Sequence, residues 1–311
     1  MENAIKCKLL KAIFTQEKPY FDGPRLSEFQ INNPTDLHIK IEQQETRTIT
    51  IASAVDTPAA SLYSVFTRLE RLLMMFDGRF FHLQELQFLD SDNSTSNQLT
   101  VLASHCCLNR LAYFNSIDFC KYKINKLLDY DLILTADLYR KWEVLLDELS
   151  VVHQMFLYSL CDGGPTKDIK CAFLIELAEP LVEIIKTHKH YFSSLTPDER
   201  GTTLKNCLDV LITKYGEPVF YKEISGNYSK FLQAMVNSRV RIMHIKRFSK
   251  EPCFERFEIV LYSAKMYLLY RLIIFELLQI DADKYKDSLS ACVTSWNHWN
   301  GVLDRFLQRI E

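Results

Sequence analysis

Glycine is scarce in this chain, with 8 in 311 residues, and proline is nearly so, with 9. No Gly-rich phosphate loop of the G-x-x-x-x-G-K-[ST] kind occurs, and neither G-x-S-x-G nor H-E-x-x-H is present. These absences argue against a P-loop NTPase, a serine hydrolase of the nucleophile-elbow type and a zincin. No charge of one sign dominates: 37 basic residues face 39 acidic ones, a formal net charge of −2. Split after Thr135, the first part carries 14 basic and 16 acidic residues and the second 23 of each, so any nucleic-acid footprint must be local. A membrane-spanning run of ~20 apolar residues is also missing. The most apolar stretch, Met266–Ile280, is shorter and is interrupted by Arg271 and Glu276, which favours a buried core helix. The start, Met1–Phe14, has no long apolar core and no small-residue cleavage site, so no signal peptide is expected. The 9 cysteines are odd in number and irregularly spaced, as Cys171 beside Ala172 and Phe173 illustrates. That pattern reads as reduced thiols used as small apolar side chains, hence a cytoplasmic protein.

What is present is the composition of an ordinary globular protein, 48% hydrophobic and 24% charged. Residues 1–135 read as mixed α and β, with no role legible. Leu37, Ile39 and Ile41 alternate, then Ile49 and Ile51, which predicts a hairpin turning near Gln43–Arg47. Thr57-Pro58 reads as an N-cap with proline at the first helical position. A helical stripe through Leu62, Phe66, Leu69 and Leu73 follows, ending at Gly78. Further strands are expected over Phe80–Leu89, Gln98–Ala103 and Ile117–Ile124.

Residues 136–311 read as an all-helical bundle, so the fold class is α+β. Asp137–Leu160 carries one apolar stripe through Trp142, Leu149 and Phe156, and Gly163-Gly164-Pro165 breaks it. Asp168–Tyr191 is the next helix, and Pro180 should bend or divide it. Thr196 precedes Pro197 as a candidate cap. A short helix over Thr203–Tyr215 should end at Gly216, and Asn227 should cap the helix after it. Phe254–Ile280 is the longest expected helix, and Ser288–Ile310 closes the chain, with Trp296 and Trp299 on one face.

One window stands out. Ile224–Lys250 contains no Asp or Glu, yet carries Lys230, Arg239, Arg241, Lys246, Arg247, Lys250 and His244. A basic strip with one imidazole suits work on a phosphate chain. At 100° per residue, Tyr228, Phe231, Leu232 and Ile242 fall within about 60° of Met235, and Arg239 lies inside that core stripe, about 40° away. A guanidinium on a buried face must be paired or must line a cleft. Glu143, Glu176, Glu179 and Glu276 are candidate partners. His244 lies on the opposite face, about 140° from Arg239, with Asn237, Arg241, Lys230 and Gln233 near its side. One phosphate can meet both motif residues only if the helix is distorted, if Arg239 reaches around, or if a second subunit completes the site.

The spacing of Arg239 and His244 resembles the R-x4-6-H motif of the HEPN superfamily, and within it the ApeA-like branch. The likeness extends to Leu138-Tyr139-Arg140-Lys141-Trp142 through Tyr158, to Cys171 through Glu179, and to the run ending Glu276-Leu277-Leu278-Gln279-Ile280. The resemblance implies a metal-independent endoribonuclease of a phage-defence or toxin-like kind, with RNA as substrate and no cofactor. His244 would act as general acid/base at the ribose 2′-OH or the leaving oxygen, and Arg239 would stabilise charge on the phosphate. Asn237, Arg241, Lys230, Lys246 and Arg247 would bind substrate. The resemblance also implies a homodimer with two motif copies at one cleft. One departure is visible: Val240 stands where the family usually has a polar residue after the motif arginine. The second reading is therefore a catalytically inactive module that binds RNA or another protein.

Metal chemistry has thin support. His105-Cys106-Cys107 lacks a second ligand pair, and Glu176, Glu179 and Glu183 read as a solvated helix face or as partners for Arg239. His188-Lys189-His190 reads as an exposed helix end.

Overall fold

A computed structural model describes residues 5–15, 24–32, 36–44, 46–79, 81–114, 126–160, 166–187, 203–244 and 251–311. The chain divides into two compact units, and the division falls between Val144 and Leu145. The mixed α+β character expected from the sequence is present: an antiparallel sheet comes first and helices follow.

The first unit is built on five strands, β1 (Lys6–Thr15), β2 (Arg25–Asn32), β3 (Asp36–Gln43), β4 (Arg47–Pro58) and β5 (His82–Leu89), in the order β2-β3-β4-β1-β5. The expected hairpin is β3–β4, with Ile39 opposite Ile51 and Ile41 opposite Ile49. Alternation buries one face of β3, and α1 (Ala59–Asp77) packs against β1 and β4. Arg47 is buried in this unit, where its guanidinium donates to Asp77 Oδ2 at 2.6 Å and to Gln43 Oε1.

Three details of this unit differ from the sequence reading. Pro58 is the N-cap residue of α1 and not its first helical residue, because β4 stays paired with β1 as far as Pro58. Thr57 therefore remains in the strand, and its hydroxyl donates to the Val55 carbonyl. Gln98–Ala103 is helical, inside α2 (Asn97–Phe114). The Ser96 hydroxyl accepts from the Leu99 N–H, and Leu99, Ala103 and Cys106 recur at helical spacing on the buried side. Gly78 does end α1, in the left-handed conformation at φ 72° that glycine adopts without a steric cost. The expected strand Ile117–Ile124 lies outside the described residues.

The expected helix Asp137–Leu160 is two helices, α3 (Ala136–Glu148) and α4 (Ser150–Leu160), parted at Leu149. Backbone bonds from Leu149 to Leu145 and from His153 to Leu149 span the joint. Pro180 divides the next stretch into α5 (Lys167–Glu176) and α6 (Ala178–Thr187), since it has no N–H to offer the Glu176 carbonyl. That division also separates Glu176 from Glu179 and Glu183, which the sequence placed on one helix face. α7 (Leu204–Tyr215) runs between its expected cap Thr203 and Gly216. α8 (Glu217–Ser225) and α9 (Tyr228–Met243) follow.

α10 (Phe257–Leu277) is the longest helix and starts three residues later than expected. Sixteen of its 21 residues are buried, which fits a helix packed against α5, α7, α8 and α12. The closing stretch is not one helix. It is α11 (Lys286–Asn297), a 3-10 turn at Trp299–Gly301 and α12 (Val302–Ile310), with Asn300 and Gly301 at φ 51° and 61° making the break. Trp296 and Trp299 meet edge to face with centroids 5.6 Å apart. Gly163-Gly164-Pro165, Thr196-Pro197 and His188–His190 lie outside the described residues.

The helical unit buries a charge pair. Lys265 of α10 donates to Glu223 Oε1 of α8 at 2.6 Å, with both side chains essentially without solvent. Burial lowers the pKa of Lys265 from the usual lysine range, and the facing carboxylate opposes that shift. Removing one partner leaves an uncompensated buried charge. We expect Glu223→Ala to cost ~3–5 kcal/mol and to lower Tm by on the order of 10 °C. The double variant Glu223→Leu/Lys265→Met should recover most of the loss in thermal unfolding followed by circular dichroism. A single variant within 2 °C (roughly) of wild type would remove the pair from the stabilising core.

Candidate active site at the end of helix α9

α9 is fixed at both ends by side chains the sequence supplies. The Asn227 side chain accepts from the Lys230 N–H at 3.3 Å at the start. At the other end the helix stops at Met243. His244 is the C-cap residue, with φ −107° and ψ 9°, and its N–H donates to the Val240 carbonyl. Phe231, Leu232 and Met235 of the expected stripe are buried together with Ala234, while Tyr228 and Ile242 are half-buried.

Arg239 leaves the core stripe by reaching sideways to the end of α5. Its Nε and Nη2 grip Glu176 as a bidentate pair: Nη2 donates to Oε1 at 2.6 Å, and Nε donates to Oε2. Of the four carboxylates considered from sequence, Glu176 is the one engaged. This contact, with Glu179 adding at longer range, raises the Arg239 pKa further. The pair is not a core pair, because Arg239 and Glu176 keep 21% and 32% of their side-chain surface exposed. The opposite edge of the guanidinium faces His244, where Nη1 donates to Nε2 at 3.4 Å. Arg239 and His244 therefore meet within one chain. The 140° separation of an ideal helix is overcome in two ways: His244 sits past the last helical residue, and the arginine side chain bends round. His244 is exposed.

The remaining site residues are distributed differently from the expectation. Asn237 is engaged structurally: its side-chain oxygen accepts from Gln233 Nε2, and its Nδ2 donates to the Pro252 carbonyl, both at 3.0 Å. Ser238 Oγ accepts from the Phe254 N–H at 2.7 Å and donates to the Ala234 carbonyl. Arg241 Nη1 contacts Cys253 Sγ at 3.3 Å. Three side chains within little more than one turn of α9 thus hold the returning segment Pro252–Phe254. Phe254 then stacks on Tyr262 at 4.0 Å, which seats the start of α10. Lys230 is not brought to the motif. It lies fourteen residues before His244, about 21 Å along the axis, and its Nζ donates to the Glu311 carbonyl oxygen at 2.5 Å. Lys246 and Arg247 lie outside the described residues.

Sequence reasoning did not single out Ser238, Cys253 or Arg256. The Ser238 contact had no signal beyond a small hydroxyl on the helix. Arg256 did have one: it occupies the cap position of a long helix where Ser, Thr, Asp or Asn is preferred.

Among the described residues no group of three His, Cys, Asp or Glu side chains is placed to hold a metal ion. His105 Nε2 pairs with Asn109 along α2, and Cys106 is a buried thiol whose pKa burial pushes up to about 11. No helix of the described residues is long and apolar enough to cross a membrane. No protein-family model, curated protein or solved structure matches the chain.

The exposure of the Arg239–Glu176 pair sets its energetic weight. Solvent screening leaves a half-exposed pair worth roughly 1 kcal/mol or less. We expect Arg239→Ala to lower Tm by about 2–4 °C, and a double-mutant cycle with Glu176→Ala to give a coupling of ~0.5–1 kcal/mol. A loss several times larger would make Arg239 a core ion pair and leave the solvent-facing description untenable.

Proposed function

We propose that the end of α9 is the active centre of a metal-independent endoribonuclease of the HEPN type. The observation that carries this reading is the contact between Arg239 and His244 at an exposed helix end, with the guanidinium steadied from behind by Glu176. A bidentate carboxylate on the Nε/Nη2 edge fixes the plane of the guanidinium and leaves Nη1 facing outward. That edge is suited to a phosphate oxygen, where charge grows during the reaction. A scissile phosphate placed there would replace the long 3.4 Å contact and bring the ribose 2′-OH to His244 Nε2. His244 takes the 2′ proton, the 2′-oxygen bonds to phosphorus, and the bond to the 5′-oxygen breaks as that oxygen takes a proton from solvent water, to which His244 then returns its own. The products are a 2′,3′-cyclic phosphate and a 5′-hydroxyl. The step needs the 2′-OH, so RNA is cut and DNA is spared. A phage-defence or toxin-like role and a homodimer belong to the same reading.

A second reading has its own support. Val240 offers no polar group beside Arg239, and the nearby Asn237 is committed to Gln233 and Pro252. On that reading the helix end binds RNA or a protein without cutting.

The deciding experiment incubates the purified chain with total RNA and with tRNA in EDTA. Wild type should cut and leave cyclic phosphate ends. His244→Ala and Arg239→Ala should each abolish cutting while circular dichroism stays native. Activity retained in either variant removes the assignment, and salt-sensitive binding without cleavage in wild type favours the second reading.

A further inference from the structure

On another face of the same turns of α9 lies a cleft of about 450 Å³, within the range of small-ligand sites. α5, α9 and the start of α10 enclose it. Ala172, Ile242, Phe254 and Ile259 supply apolar wall. Four charged side chains open onto it: Arg241, Arg256, Asp168 and Glu255.

The charges that face this cleft are not paired with one another. Arg25, Arg47, Arg239 and Arg309 each hold a carboxylate at hydrogen-bond distance. Arg241 and Arg256 hold none among the described residues. Arg241 gives one N–H to the Cys253 thiol, and that contact, with Glu255 and Asp168 acting at longer range, raises its pKa. Asp168 makes no hydrogen bond or ion pair through its side chain among the described residues. Glu255 has only a 3.9 Å approach to Arg309. Guanidinium donors and carboxylate acceptors thus face one cavity without satisfying each other.

A second observation is independent of charge. Arg256 has φ 46° and ψ −110°, a backbone conformation that L side chains rarely adopt. Such strain costs about 1–3 kcal/mol and concentrates at functional positions. Here it sets an arginine at the cap of α10, on the cleft wall, where a short capping side chain would be the ordinary choice.

We propose that this cleft holds a guanine base, carried by the RNA next to the phosphate that Arg239 and His244 act on; the RNA context rests on the ribonuclease reading. The chemistry selects guanine over the other bases. Guanine presents O6 and N7 as a paired acceptor edge, which matches a guanidinium fork. It also presents N1–H and N2–H as a paired donor edge, which matches a carboxylate. Adenine, cytosine and uracil each lack at least one of these paired edges. The apolar side chains of the wall cover the faces of the ring. Arg241 stands three residues before His244 on a neighbouring face of α9, which sets the cleft beside the motif imidazole and assigns a base in it to the nucleotide next to the scissile phosphate.

The test uses the full chain and two readouts. Cleavage sites are mapped on a single-stranded RNA pool for wild type, Asp168→Ala/Glu255→Ala and Arg256→Ala. Binding of guanosine 5′-monophosphate and adenosine 5′-monophosphate is measured calorimetrically for the same proteins and for His244→Ala. All four substituted positions are exposed, and melting curves check that each variant folds. We expect cuts to cluster beside guanine, with about a tenfold preference that both cleft variants lose while cutting elsewhere persists. His244→Ala should keep the guanosine preference and lose cleavage. Cutting without a guanine bias, or a bias that survives both cleft variants, overturns the cleft assignment and leaves the ribonuclease reading intact. Guanosine-selective binding that depends on the cleft, without any cutting, supports the base site with a free nucleotide as its source and removes the ribonuclease reading. No cutting and equal affinity for both nucleotides overturns both.

Discussion

A helix buried on nearly every side permits its neighbours few arrangements, and α10 is such a helix. Its sixteen buried positions are covered by α4, α5, α7, α8, α11 and α12, so the second unit is arranged around it. Charge on such a helix has to be matched locally. Lys265 meets Glu223, while Arg271 lies beside the rings of Tyr267 and Phe275. How α10 begins then determines how α9 can end. Ser238, Asn237 and Arg241 hold Pro252–Phe254 from one side, Arg309 of α12 holds the Cys253 carbonyl, and Phe254 stacks on Tyr262. The polar face of α9, which looks like a substrate surface on a helical wheel, is therefore in large part an attachment surface for the next helix.

That division of labour explains why Arg239 and His244 stand apart from Lys230 and Arg241. His244 sits past the last residue of α9, where the helix no longer dictates side-chain direction, and the Arg239 side chain bends from within the helix to meet it. Glu176 stands at the end of α5 because Pro180 stops that helix. Two helix terminations, each with a local cause, bring a carboxylate, a guanidinium and an imidazole into one line. The Glu176–Arg239 bond has an energetic side as well. On the ribonuclease reading, a phosphate at Nη1 would share its arginine with a carboxylate already in place, so the arginine is oriented in advance but part of its charge is neutralised.

Much of this was legible in the sequence, and the failures have physical causes. Period-two alternation marked β3 and β4, and glycine, threonine and asparagine marked the limits of α1, α7 and α9. The Gln98–Ala103 stretch was misread because a short apolar run fits both periods, and only the Ser96 cap and the burial of Leu99, Ala103 and Cys106 decide between them. The break between α11 and α12 was missed because Asn300 and Gly301 sit inside an apolar pattern that continues past them. At the site, the wheel placed Arg239 on the core stripe and required a partner, but it could not choose among four glutamates. That choice depends on how α5 and α9 pack. It also could not anticipate that Asn237 and Arg241 serve the Pro252–Phe254 segment, since those contacts join residues brought together only by the turn into α10.

The backbone at Arg256 carries a consequence for evolution and for engineering. A glycine there would adopt the positive φ without strain, and an ordinary search for stabilising substitutions would select it. The chain keeps arginine. Arginine at this position holds the backbone in a conformation that costs stability. On the guanine-site reading, a chain stabilised with glycine at this position loses discrimination at the cleft before it loses its architecture.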